Sequence, residues 1–205
     1  MNLVKDLWSK NDINEFLEYL KIFSKGEEKG FWEQRIVNTK LPCLAIPSTE
    51  IDKISKQIYK GNYISFLDLW IWNNHSATLV FGKILNKIKD FELLSKYLIP
   101  YSEKSDNWST IDCLKFSFSE DNYLKFIKLS KDLIKSKHTF SRRLALIILL
   151  NAILPIAFGV VTLVATENVT YLLTSIQFHQ LVELILYLNT NQQIHNHYQH
   201  NHRNC

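Results

Sequence analysis

Apolar side chains recur every three or four residues through most of the first 153 positions of this chain. That spacing predicts α-helices, each with one apolar face. Residues 12–24 show it first, and Asn11 or Asp12 can cap the start of that helix. The same pattern predicts further helices at about 28–38 (with Phe31, Trp32 and Ile36 apolar), from Ser48 or Thr49 to Lys60, and at about 64–72, 75–89, 91–98, 107–118, 121–135 and 140–153.

Short breaks separate these helices. Pro42 and Pro47 bracket a connector that is too short for a helix, and Pro100 is predicted to mark another boundary. Helices paired by brief loops, at a period of about 30–40 residues and without strands, predict an all-α fold. We expect a HEAT- or armadillo-like α-solenoid, which is a superhelix of helical hairpins.

The chain changes character after residue 153, which predicts three regions. Residues 1–153 are expected to form the HEAT-like helical repeat domain. Residues 154–188 are a divergent C-terminal segment whose many β-branched side chains permit strand or helix. Residues 189–205 form an Asn-, Gln- and His-rich tail that we expect to be disordered.

One apolar segment admits a membrane alternative. Leu144–Thr166 contains no charged residue, and basic side chains precede it, which meets the simplest criteria for a spanning helix. Asn151, Pro155 and Gly159 interrupt the segment, and its second half is rich in Val and Thr. We therefore favour a chain without a membrane span.

Composition says more about the cellular compartment of the protein than about its function. The chain has 205 residues, three scattered cysteines without a C-x-x-C pair, and a net charge of +4. This cysteine usage indicates a reducing compartment, and the first residues lack the apolar core of a secretory signal. We expect a cytoplasmic monomer, and the small positive charge permits a polyanionic partner without requiring one.

The strongest candidate chemistry lies in residues 106–112. Trp108 and Asp112 are four residues apart, so on a helix they project from one face. Arg142 and Arg143 follow about thirty residues later, roughly one helical hairpin further along. An indole beside a carboxylate, with a guanidinium nearby, suits a flat cationic substrate; the alternative is the charged edge of an amphipathic helix.

Three stretches resemble the DNA alkylation repair (AlkD-like) glycosylase family, over about residues 31–153. Leu41–Pro47 with Ile51–Lys56 is similar to the family's F-x-L-G-I-x-x-P…L-R-K-x-A-K entry. Asn107–Asp112 is similar to its N/S-W-x-x-x-D helix. Phe140–Leu150 is similar to its F/W-x-x-R-x-A-x-x-x-L-L helix, and the order and separation of these last two stretches match the family.

This resemblance implies a HEAT-like solenoid that holds duplex DNA and hydrolyses the N-glycosidic bond of cationic N3- or N7-alkylated purines. In that reaction Asp112 would stabilise the oxocarbenium-like sugar and orient the attacking water. Trp108 would offer its π face to the cationic nucleotide. Arg143 would hold a backbone phosphate or the abasic product, and Arg142 would assist in DNA binding.

The sequence also departs from the family. Ala45 stands where the family usually has Gly, Asp52 where it usually has Arg, and Ser76 where its H/Y-E helix has Glu. Beyond Ile153 we find no counterpart of the family's Y-V-x-x-A-I-x-W helix, because Trp108 is the last tryptophan. The competing hypothesis is therefore a non-catalytic HEAT-like module that binds nucleic acid or a protein.

Two further groups of side chains have binding potential. A basic ridge can contact phosphates, and its members are Lys125, Lys128, Lys131, Lys135 and Lys137 with His138. Alternate histidines in the tail could hold a divalent metal, although such a tail favours adventitious binding: His195, His197, His200 and His202. We predict no dedicated metal site and no cofactor.

Overall fold

The computed structural model describes the backbone of residues 1–165 and the side chains of residues 1–152. Within residues 1–165 there are nine α-helices and no strand, so the all-α prediction is confirmed. The helices are α1 (Asp12–Lys21), α2 (Glu27–Val37), α3 (Ser48–Lys60), α4 (Tyr63–Asp68), α5 (His75–Leu85), α6 (Phe91–Lys104), α7 (Trp108–Asp112), α8 (Glu120–Leu133) and α9 (Thr139–Ala165). Their packing is compatible with an α-solenoid, and the HEAT-type repeat stays a prediction.

The core centres on α5, which packs most closely on α3 and also contacts α1, α6 and α7. Nine of its eleven residues are buried. Phe81 of α5 stacks on Tyr101 of α6, with ring centroids 5.5 Å apart. The buried Tyr101 hydroxyl donates to the Thr78 carbonyl at 3.0 Å, and burial raises its pKa well above the ordinary value. Tyr101 therefore fixes α6 against α5 at the level of α7.

Side-chain caps set where several helices begin. Asn62, Asn74, Asp90 and Asn107 each place a side-chain oxygen on a backbone N–H in the first turn of the following helix. These amides lack an intrahelical partner, so each cap contributes roughly 1 kcal/mol. Asparagine and aspartate at these positions therefore determine the start of α4, α5, α6 and α7.

Several predicted helix boundaries were wrong. The helix predicted at 107–118 ends at Asp112, and the one predicted at 75–89 ends at Leu85. Pro100 is not a boundary, because α6 continues through it to Lys104. Proline removes the hydrogen bond to the carbonyl four residues earlier and crowds that carbonyl; here the residue is Lys96, which is exposed, so its carbonyl can bond to solvent.

Residues 1–153 form one compact unit, and every contact described below lies within it. The predicted segment 154–188 is described only as far as residue 165, where it continues α9, and the predicted tail 189–205 lies outside the described residues. Leu144–Thr166 likewise extends past them. In the part of the chain that the structure describes, no helix is both long and apolar enough to cross a membrane.

Candidate functional site

The short helix α7 carries two of the predicted site residues. Asn107 accepts a hydrogen bond from Thr110 N at 3.2 Å, which starts the helix, and only five residues follow before it ends. Trp108 and Asp112 are therefore its first and last residues. The Trp108 side chain is 41% exposed, and its Nε1 donates to the carbonyl of Ile36 in α2 at 3.4 Å. One edge of the indole is fixed while much of the ring faces solvent.

Asp112 and Arg143 form a bidentate ion pair. Arg143 Nε donates to Asp112 Oδ1 at 2.7 Å, and Nη2 donates to Oδ2 at 2.5 Å. The hydrogen bonds to Asp112 raise the pKa of the Arg143 guanidinium above its ordinary value, so the arginine stays charged. The side chains are 42% and 29% exposed, so solvent screens the pair and its contribution to stability is about 0.2–1 kcal/mol.

Arg142 is directed elsewhere. Its Nη1 donates to the carbonyls of Ser136 and Lys137, at 2.8 and 3.1 Å. Its Nη2 donates to the Thr139 hydroxyl at 3.3 Å. Arg142 thus satisfies backbone carbonyls in the turn between α8 and α9, while its neighbour Arg143 carries the contact to α7.

The predicted basic ridge lies on the surface. Its five lysines are all exposed: Lys125, Lys128, Lys131, Lys135 and Lys137. The first three belong to α8, and the last two follow its end. Lys125 forms an ion pair with Glu92 at 3.0 Å and lies over the Phe91 ring, so it is partly engaged within the protein.

Sequence reasoning missed a cavity beside α7 whose mainly apolar lining carries a few polar side chains. The cavity has a volume of about 370 Å³ and lies among α2, α3, α5 and α7; its lining residues include Glu33, Lys83, Ser109 and the buried His75. His75 Nδ1 lies 3.2 Å from Glu33 Oε1, and Nε2 lies 2.8 Å from Ser109 Oγ. The only sequence signal for His75 was its place at the start of the stretch aligned with the family's H/Y-E helix.

A second set of hydrogen bonds anchors the start of α7. Asp106 accepts hydrogen bonds from the Thr39 hydroxyl and from Lys40 N, each at 2.7 Å, and from the Asn107 amide at 2.9 Å. Burial alone would raise the pKa of Asp106, but these hydrogen bonds bring it below its ordinary value. The ionised carboxylate ties α7 to the loop that follows α2.

The structure shows the contacts made at two positions where the sequence departs from the family pattern, Ala45 and Asp52. Ala45 adopts φ +51°, in the left-handed region that favours glycine. In that conformation its N–H donates to Glu33 Oε2 at 2.8 Å. Asp52 forms an ion pair with Lys83 at 3.1 Å, so the acid at this position has a basic partner on α5.

The apolar face predicted for the second helix does not face the core. Phe31, Trp32 and Ile36 of α2 are 51%, 54% and 69% exposed. Gly30 takes the buried side instead, where a Cβ atom would lie 2.3 Å from the carbonyl oxygen of Cys43. Because α2 packs through Gly30, these three large side chains are left exposed to solvent.

A comparison with protein-family models gives a match. A family model described as "DNA alkylation repair enzyme" matches residues 4–171, which is most of the chain. No curated protein and no solved structure matches it.

Proposed function

Because this chain belongs to the DNA alkylation repair enzyme family, we propose that it is a DNA glycosylase that removes cationic N3- or N7-alkylated purines from duplex DNA. Membership of the family supports a role in DNA repair and interaction with DNA. The reaction, the lesion class and the roles of individual residues are our proposal. The observation that carries it is the bidentate Asp112–Arg143 pair beside the exposed Trp108.

The chemistry of the lesion determines what the protein must supply. Alkylation at N3 or N7 places a positive charge on the purine, so the base already leaves readily. Breaking the glycosidic bond then leaves positive charge on the sugar, and a nearby carboxylate lowers the energy of that state. Water adds to the sugar carbon that loses the base, and a carboxylate can accept a hydrogen bond from that water. Asp112 is the proposed carboxylate.

Arg143 prepares both the carboxylate and the DNA contact. It holds both oxygens of Asp112, so the orientation of the carboxylate is fixed before DNA binds. It does so through Nε and Nη2, and none of the described residues accepts a hydrogen bond from Nη1. We propose that Nη1 donates a hydrogen bond to an oxygen of a DNA phosphate next to the lesion, because guanidinium groups bind phosphate well.

Trp108 supplies the aromatic surface. A cationic base over an indole face gains about 0.5–2 kcal/mol, depending on how much water is removed. The Nε1–Ile36 hydrogen bond anchors the indole to α2, and 41% of Trp108 stays exposed. The proposed site recognises the positive charge of the lesion and not the hydrogen-bonding edge of the base. This is why cationic alkylated purines are the proposed substrates.

The direct test is release of 7-methylguanine from methylated duplex DNA by the parent chain and by Asp112→Asn. The amide keeps the size of the carboxylate but loses its charge, so we expect at least a hundredfold lower single-turnover rate. Asp132→Asn is the matched control, because Asp132 is an exposed aspartate on α8. Circular dichroism and thermal melts should be nearly unchanged, since the solvent-screened pair adds little to stability. Equal release by the parent and Asp112→Asn would reject the catalytic role of Asp112.

A non-catalytic binding protein is the second candidate. The observation that favours it is the exposure of three large apolar side chains on α2, Phe31, Trp32 and Ile36. Groups of exposed apolar side chains often mark binding surfaces. In that case the parent chain binds duplex DNA or a protein but releases no base from methylated DNA. The glycosylase assay on the parent chain therefore separates the two candidates.

A further inference from the structure

Three side chains with metal-binding atoms meet beneath α7. Glu33 comes from α2, Cys43 from the connector between α2 and α3, and His75 from the first turn of α5. One ligand atom from each lies within 4.8 Å of the others. A carboxylate, a thiol and an imidazole are together the ligand types that zinc prefers in proteins.

The hydrogen bonds around His75 fix its tautomer. Asn107 Oδ1 accepts from Thr110 N, so it is an acceptor, and Ser109 Oγ, 2.8 Å away, must donate to it. A hydroxyl has only one proton, so the contact at 2.8 Å between Ser109 Oγ and His75 Nε2 requires Nε2 to be the donor. The remaining ring nitrogen, Nδ1, points at Glu33.

This arrangement calls for a cation between His75 and Glu33. In the neutral imidazole with its proton on Nε2, the lone pair of Nδ1 faces Glu33 Oε1 at 3.2 Å. Two lone pairs at that distance repel each other, and His75 is only 1% exposed. Either a second proton or a metal ion must lie between the two atoms.

The separation of His75 Nδ1 and Glu33 Oε1 suits two ligands of one metal ion. Bonds of about 2.0–2.1 Å in a tetrahedral site place two ligand atoms about 3.3 Å apart, close to the Nδ1–Oε1 distance. A ligating histidine also commonly donates its other N–H to a second group that orients the ring. Ser109, itself held by Asn107, occupies that position. Glu33 is held in turn by the Ala45 N–H at 2.8 Å.

We propose that Glu33, Cys43 and His75 form a three-ligand Zn²⁺ site whose fourth position opens toward the adjacent cavity. Glu33 and His75 line that cavity of about 370 Å³. The ion joins α2, the following connector and α5, and through His75 and Ser109 it supports the cap of α7. It therefore has a structural role beneath Trp108 and Asp112, and this assignment replaces the expectation of no dedicated metal site.

Metal binding at Cys43 is coupled to loss of the thiol proton. A divalent ion supplies the charge that stabilises the thiolate, and the thiol proton leaves to solvent on binding.

Cobalt binding tests the site, because a thiolate bound to Co²⁺ gives a near-ultraviolet charge-transfer band that histidine and carboxylate ligands do not give. The experiment uses the full chain with four tail substitutions, H195Q, H197Q, H200Q and H202Q, which remove adventitious binding there. We expect one equivalent of Co²⁺ with the charge-transfer band, displaced by Zn²⁺. Cys43→Ser should abolish the band and weaken Zn²⁺ binding more than tenfold.

Cys113→Ser is the matched control, because Cys113 lines the same cavity but is not in the three-residue cluster. It should keep the band. Zn²⁺ should also raise the melting temperature of the tail variant and of Cys113→Ser but not of Cys43→Ser. The proposal fails if the tail variant shows no band, or if Cys43→Ser binds Co²⁺ and Zn²⁺ as the control does; the Glu33–His75 contact is then held by a proton. Neither result bears on base release by Asp112.

Discussion

Ala45→Gly is expected to stabilise the protein. Alanine at φ +51° brings its Cβ close to the neighbouring carbonyl, and the left-handed conformation costs an L-residue about 1–2 kcal/mol. Glycine removes that strain because it has no Cβ. It also has more freedom in the unfolded chain, which returns about 0.5–1 kcal/mol. The net expectation is a gain of about 0.5–1 kcal/mol.

The gain should appear as a melting temperature higher by roughly 1–4 °C, given the usual sensitivity of chains of this size. Urea unfolding should show a higher midpoint with the same slope. Ala77→Gly is the control: Ala77 lies inside α5, where glycine costs about 1 kcal/mol. The reasoning is refuted if Ala45→Gly melts at or below the parent temperature while Ala77→Gly is destabilised as expected. In that case the conformation at residue 45 carries no strain.

Two further predictions concern surface charge. The hydrogen bonds from Lys5 and from Ser9 lower the pKa of Asp12 to about 2, so its stabilising effect is complete above the ordinary pKa of 3.8 and lost as the pH falls toward 2. Asp12→Asn should therefore lower the melting temperature at pH 7 and make no difference near pH 2; a loss that persists at pH 2 would contradict this. On the basic ridge, Lys128→Gln with Lys131→Gln should weaken binding to duplex DNA and reduce the slope of log affinity against log salt by about 1–2. The control is Lys21→Gln with Lys53→Gln, two exposed lysines on α1 and α3 that each pair with a glutamate of their own helix, and it should leave the slope unchanged.

The sequence was sufficient for the fold class and for most of the helices. Apolar spacing located α1, α3, α5 and α8, because each of these helices buries a regular stripe of side chains. It also located α2 but assigned its buried face wrongly, because that face is marked by Gly30 rather than by a large apolar residue. Periodicity is read from apolar side chains, so it cannot identify a buried helix face that is marked by a glycine, which has no side chain.

The candidate site was predicted only in part. The spacing of Trp108 and Asp112 and the family resemblance pointed to residues that the structure places on one short helix, with Arg143 on Asp112. Their catalytic roles remain predictions. Sequence reasoning gave no role to His75 or to Cys43, because the side chains that meet at this cluster come from different elements, with His75 42 positions from Glu33 and 32 from Cys43. Spacing within one helix cannot reveal such contacts.

The hydrogen bonds at the start of α7 have a consequence for folding order. Asp106 accepts hydrogen bonds from Thr39 and Lys40 across 67 and 66 positions, and Asp112 accepts from Arg143 across 31. Such non-local contacts form late, because long loops must close before the bonds compensate the lost entropy. A helix of five residues has almost no stability in isolation. During refolding, α7 should therefore acquire protection from hydrogen exchange together with these distant segments, after α3 and α5 have paired.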